Sequence, residues 1–115
     1  VAKRLGQGLP HVEVVLDEEP RDALHRPSTD VLMASAAKAY GPLALGVVLT
    51  GMGSDGTEGL RAIREKGGLT LAEAEETCVI YGMPKAAIDT GCVDAVVPIG
   101  QMADEILRSV SVTRQ

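Results

Sequence analysis

Aromatic residues are nearly missing from this 115-residue chain, which has no Trp or Phe and only Tyr40 and Tyr81. A core without large rings must rest on Val, Leu, Ile, Ala and Met, which suits helices packed closely over a sheet. Cysteine is scarce as well. Cys78 and Cys92 sit in apolar contexts without the paired short spacing of a zinc site, so they read as small buried hydrophobes in a reducing compartment. Positive charge is in deficit, with 11 Lys and Arg against 16 Asp and Glu for a formal net charge of −5. The basic residues are scattered, which argues against nucleic acid or an anionic membrane surface as partner. No apolar run approaches the length of a membrane span, and Val1 opens no signal-peptide pattern, so a cytoplasmic address without membrane insertion is expected. The 45% hydrophobic and 23% charged residues are a globular balance, for one small domain or a piece of one.

Along the chain, His11 to Leu16 (HVEVVL) reads as an edge strand or half a hairpin, with the preceding VAKRLGQGLP as its turn. The aperiodic, proline-containing DEEPRDALHRP reads as a surface loop. A helix is expected from Pro27 or Ser28, with a hydroxyl cap at its start, Gly41-Pro42 as its stop, and Val31, Leu32, Ala36 and Ala39 on one face. Ala44 to Leu49 has no polar alternation and reads as a central strand of a parallel sheet. Thr57 to Lys66 is the next helix, with Leu60 and Ile63 inward, followed by a strand over Leu69 to Ala72. A short helix runs from Met83 to Thr90, a last strand from Asp94 to Ile99, and Met102, Ile106, Leu107 and Val110 recur at helical spacing at the C-terminus. Strands alternating with helices predict an α/β fold with a doubly wound, mostly parallel sheet behind a short N-terminal hairpin strand. Sites in such sheets form at the carboxyl ends of strands, which directs attention to Thr50 to Gly56 (TGMGSDG).

Gly51, Gly53 and Gly56 match G-x-G-x-x-G, with Glu73, Glu75 and Glu76 about twenty positions later, so a dinucleotide-binding, Rossmann-like site is one reading. Asp55 opposes it. A carboxylate about 4 Å from a phosphate charge, at an effective dielectric near 20, costs on the order of 4 kcal/mol. A second reading makes Asp55 the N-cap of the following helix, accepting from the Glu58 amide in a D-G-T-E capping box. The Glu73, Glu75, Glu76 cluster lacks His or Cys at ligand spacing and reads as a solvated acidic turn, so neither metal nor cofactor is expected.

TGMGSDGTEGL, CVIYGMPKAAI and the upstream HRPSTDVL, in that family's order, resemble the C-terminal part of the chemotaxis protein-glutamate methylesterase catalytic domain, CheB. The resemblance covers nearly all of residues 1–115. It implies a serine hydrolase that cleaves methyl esters of receptor glutamates and deamidates receptor glutamines. It places the triad aspartate at Asp55 and an oxyanion-hole backbone amide at Met52, with Gly51, Gly53 and Gly56 shaping the loop. It also implies that the domain's first strands, with the nucleophilic serine and the catalytic histidine, precede Val1. The chain alone is then expected to be inactive and to self-associate through an uncovered sheet edge. The implied partners are methylated chemoreceptors and a regulatory receiver domain. Two alternatives remain: a truncated interaction module without turnover, and a local Ser54, His25, Asp55 triad. Ser28 reads as a helix cap and His25 as a loop or site-rim residue.

Overall fold

The computed structural model describes residues 1–5, 11–22 and 27–113. Among them run strands β1 (Ala2–Leu5), β2 (His11–Val14), β3 (Leu45–Val48), β4 (Leu69–Glu73) and β5 (Ala95–Val97), and helices α1 (Thr29–Tyr40), α2 (Thr57–Glu65), α3 (Met83–Asp89) and α4 (Ile99–Thr113). β1 and β2 form an antiparallel pair with Ala2 opposite Val14 and Leu5 opposite His11. Residues 2–5, expected as part of a turn, are therefore a strand. AKRL has no β-branched residue to announce one. Residues 6–10 of that expected turn lie outside the described residues.

β3, β4 and β5 form a parallel sheet in that order, with Leu45 opposite Leu69 and Leu71 opposite Ala95. Val48 packs with Leu60, Ala87 and Cys92 beneath α2 and α3. Leu71 and Val97 pack with Met102 of α4. Alternate residues of a strand face opposite sides, so helices cover both faces and the expected doubly wound arrangement is present. β3 differs from expectation in being an edge. Among the described residues β4 pairs with one side of it and no strand with the other, so β4 is the central strand, with Thr70 and Ala72 fully buried. The apolar run ALGVVL reports covered faces and is silent about a covered edge.

Helix α1 begins as expected, with Ser28 Oγ accepting from Val31 N at 3.2 Å, and Gly41 at φ 59° ends it. Ala39 is buried as expected, but Leu32 of the expected stripe is not inward. Ala37 packs with Ala44 and Ile63, Met33 reaches the same cluster, and Leu32 is 49% exposed. The reason is that α1 lies against α2 through small residues. An added Cβ at Gly59 would stand 2.6 Å from Met33 Cβ and 3.2 Å from Asp30 Cα. Those atoms belong to or adjoin the α1 backbone and cannot swing aside. Gly59→Ala is therefore expected to lose about 1–2 kcal/mol net despite Ala's helix advantage. Urea denaturation would report a lower midpoint, and an unchanged or higher midpoint would refute this packing.

Leu60 and Ile63 are fully inward, as expected. In α4, Met102 is buried with Ile106 beside it, while Leu107, expected on the same face, is 66% exposed because it points one residue's rotation away. Among the described residues no helix is long and apolar enough to cross a membrane.

Candidate active-site loop

The chain leaves β3 into Thr50 to Gly56, and two neighbouring segments fix this loop. Thr50 N donates to Glu73 Oε1 at 2.8 Å, and Thr77 Oγ1 donates to Glu73 Oε2 at 2.9 Å. Thr50 Oγ1 donates to Ile80 O and accepts from Ile80 N at 2.8 Å. Gly51 N donates to Ile80 O, and Gly51 O accepts from Gly82 N and Met83 N at 3.1 and 2.8 Å. A Cβ on Gly82 would stand 2.6 Å from Gly51 O, so only glycine allows the approach. Glu73 thus departs from the expected solvated turn. It is 2% exposed at the end of β4, and only Glu75 and Glu76, in the 3-10 turn Glu75–Thr77, face solvent.

Asp55 caps a helix, but not its own. Thr29 N donates to Asp55 Oδ2 at 2.7 Å and Asp30 N to Oδ1 at 2.9 Å. In return Asp30 Oδ1 accepts from Gly56 N and Gly59 N, each at 2.8 Å. The N-termini of α1 and α2 have exchanged carboxylates. The expected D-G-T-E box does not form: the N-cap of α2 is Gly56 at φ 106° without a side-chain bond, and Glu58 pairs with Arg61 at 2.9 Å. The exchange also removes the dinucleotide reading. The α2 amides that would receive a pyrophosphate already hold the Asp30 carboxylate, and Glu73 is committed to Thr50.

Beside this clamp, Met52, Gly53 and Ser54 are exposed, with Met52 at 79%, while Asp55 and Tyr81 are half-buried. The loop is thus exposed next to a carboxylate that two backbone amides hold in place. His25 lies outside the described residues, so the grouping of Ser54, His25 and Asp55 has no geometry here. Sequence reasoning missed Asp30 and Glu73 as parts of the site, and the anchoring role of Thr50 within its loop. HRPSTDVL contains Asp30, yet nothing local indicates that its partners are 26 and 29 residues away.

Near the site, burial and then the adjacent Glu73 carboxyl push the Cys78 thiol above its ordinary range. A raised pKa leaves less thiolate at a given pH, so Cys78 should alkylate with iodoacetamide more slowly than free cysteine at pH 8 and gain rate at higher pH. Any stability from this group is present below the ordinary thiol pKa and is lost as pH rises past it. Reaction at the free-cysteine rate at pH 8 would contradict the assignment.

Residues 4–106 match the family described as CheB methylesterase. The chain is 49% identical over 107 residues to protein-glutamate methylesterase/protein-glutamine glutaminase 2 of Nitratidesulfovibrio vulgaris, covering 93% of this chain and 29% of that protein. It is 53% identical over 92 residues to the corresponding protein 1 of Oleidesulfovibrio alaskensis, covering 80% of this chain and 25% of that protein. The crystal structure of the Thermotoga maritima CheB methylesterase catalytic domain superposes with a TM-score of 0.83 at 34% identity, over 93% of this chain and 56% of that one. The chain thus spans under a third of these curated relatives and a little over half of the solved domain. The match over residues 4–106 takes in all three motif segments, and they converge in space on one loop, so the chain belongs to the CheB methylesterase family.

Proposed function

We propose that this chain supplies the acidic member of a serine-hydrolase triad, Asp55, and one oxyanion donor, the Met52 amide. Within a complete domain it would hydrolyse glutamate methyl esters, and deamidate glutamines, on chemoreceptors. The observation that carries this reading is the seating of Asp55: both carboxylate oxygens receive backbone amides at the carboxyl end of a parallel sheet, next to an exposed glycine loop. A carboxylate has about four acceptor positions, so receiving two amides is compatible with also receiving an imidazole N–H.

Serine and histidine would come from the part of the domain that these 115 residues do not span. The imidazole takes the serine proton as oxygen attacks the ester carbonyl, and returns it to the leaving methoxide, releasing methanol and an acyl-enzyme. Water then repeats the cycle and frees the glutamate carboxylate. Asp55 holds the imidazole tautomer and stabilises the imidazolium, and the Met52 N–H faces the developing oxyanion. Methanol release from methylated receptor membranes tests this. A complete domain should release methanol and the isolated chain should stay at background. No release by the complete domain would leave the non-enzymatic interaction module as the better reading.

The outer edge of β3 and the half-buried Leu45 and Val47 are where the remaining strands would pair. In isolation the chain is expected to self-associate through this edge. Sedimentation at about 100 µM that gives a single monomer species would overturn that expectation.

A further inference from the structure

We infer that Asp30 is a positioning residue for turnover, acting through Asp55. The inference rests on the proposed role of Asp55 and goes beyond it. Asp30 stands on both sides of one closed ring of hydrogen bonds. Its main-chain N–H donates to Asp55 Oδ1, and its side-chain Oδ1 accepts from Gly56 N, the amide directly after Asp55. The second acceptance, from Gly59 N, ties the same oxygen to the first turn of α2. The side chain of Asp55 and its backbone are thus both held by one residue from another helix, 25 positions earlier in the chain.

The neighbourhood is shaped for this contact. A Cβ on Gly59 would crowd Asp30 Cα at 3.2 Å, and one on Gly56 would meet Thr29 Cγ2 at 3.5 Å and Val48 Cγ2 at 3.1 Å. Glycine at both positions lets the α2 amides come within 2.8 Å of the Asp30 carboxylate. An ordinary helix cap would satisfy only its own helix. This one couples the entry of α1, which receives the Asp55 carboxylate, to the entry of α2, which sets where the Asp55 backbone sits. Misplacing a catalytic group by about 1 Å can cost on the order of 100-fold in rate, so loosening the ring should appear in turnover.

The test uses a complete domain carrying these residues, assayed by methanol release well below its melting temperature. Asp30→Ala should lower kcat about 10- to 100-fold with KM within about twofold. A less well held Asp55 stabilises the imidazolium less, so the acidic limb of the kcat/KM profile should move to lower pH. Asp30→Asn keeps an acceptor for the two amides and should recover most of the rate. Ile63→Val, a core change that alters none of the ring's hydrogen-bonding groups, supplies the control for a stability loss alone and should leave kcat and the pH profile unchanged. If Asp30→Ala fails to fold, Asp30→Ser takes its place, since its shorter hydroxyl cannot serve both amides, and it should show the same shift in smaller measure. A wild-type kcat and pH profile in the alanine or serine variant, with Asp55→Asn inactive, overturns the positioning role alone. Retained turnover in Asp55→Asn overturns the site reading and this inference with it.

Discussion

Asp55→Asn in a complete domain is expected to lower kcat for ester hydrolysis by about 10⁴-fold while leaving the fold intact. The effect comes from the tautomer of the imidazole. An aspartate accepts the Nδ1–H of imidazole and leaves Nε2 unprotonated to take the serine proton. Asparagine can instead donate its amide to Nδ1, which moves the ring proton to Nε2 and disables the base. Oδ1 of asparagine can still accept from one of Thr29 N and Asp30 N, while the other loses its acceptor, so the melting temperature should fall by only about 2–8 °C and the domain stays folded at the assay temperature. A loss of turnover that tracks a loss of folded protein would mean that Asp55 serves only as a cap. Unchanged hydrolysis would reject the assignment outright.

The second large effect falls on stability. Glu73 is 2% exposed and accepts the Thr50 amide at 2.8 Å and the Thr77 hydroxyl at 2.9 Å. Glu73→Ala leaves the Thr50 amide without its acceptor and opens a void, for a combined cost of about 3 kcal/mol. In a domain of roughly 150 to 250 residues that corresponds to a fall in Tm of about 10 °C. Glu73→Gln should cost under about 1 kcal/mol. Its Oε1 still accepts from Thr50, and Thr77 Oγ1 can turn its proton to Ala74 O while accepting from the new amide. Thermal unfolding of the two variants separates the possibilities. Equal destabilisation would mean that the charge matters and the acceptor does not, and a harmless alanine would mean that the loop needs no anchor from β4.

Local signals carried the fold a long way. Ser28 and the Gly41-Pro42 stop bracket α1, Leu60 and Ile63 mark the buried side of α2, and Pro84 with Gly91 brackets α3, because caps and breakers act within a few residues of themselves. What sequence missed depends on partners elsewhere in the chain. Leu32 resembles a core residue until α1 is found to lean on α2 through Ala37 and Met33. ALGVVL reads as central, and among the described residues β3 has a strand on one side only, since an apolar run reports its faces and not its edges. Asp55 has the local form of an N-cap for α2, and Glu73 that of a turn acid. Each was redirected by a backbone amide more than twenty residues away. The motifs directed attention to the loop after β3, and the structure brings them together there. Its wiring through Asp30 and Glu73 emerges only when three distant segments meet.

Whether Asp55 orients an imidazole from the remainder of the domain is read directly by nitrogen-15 NMR of the histidines in a complete domain. One histidine should carry its proton on Nδ1 in the wild type and on Nε2 in Asp55→Asn. Identical tautomers for every histidine in the two proteins would contradict it.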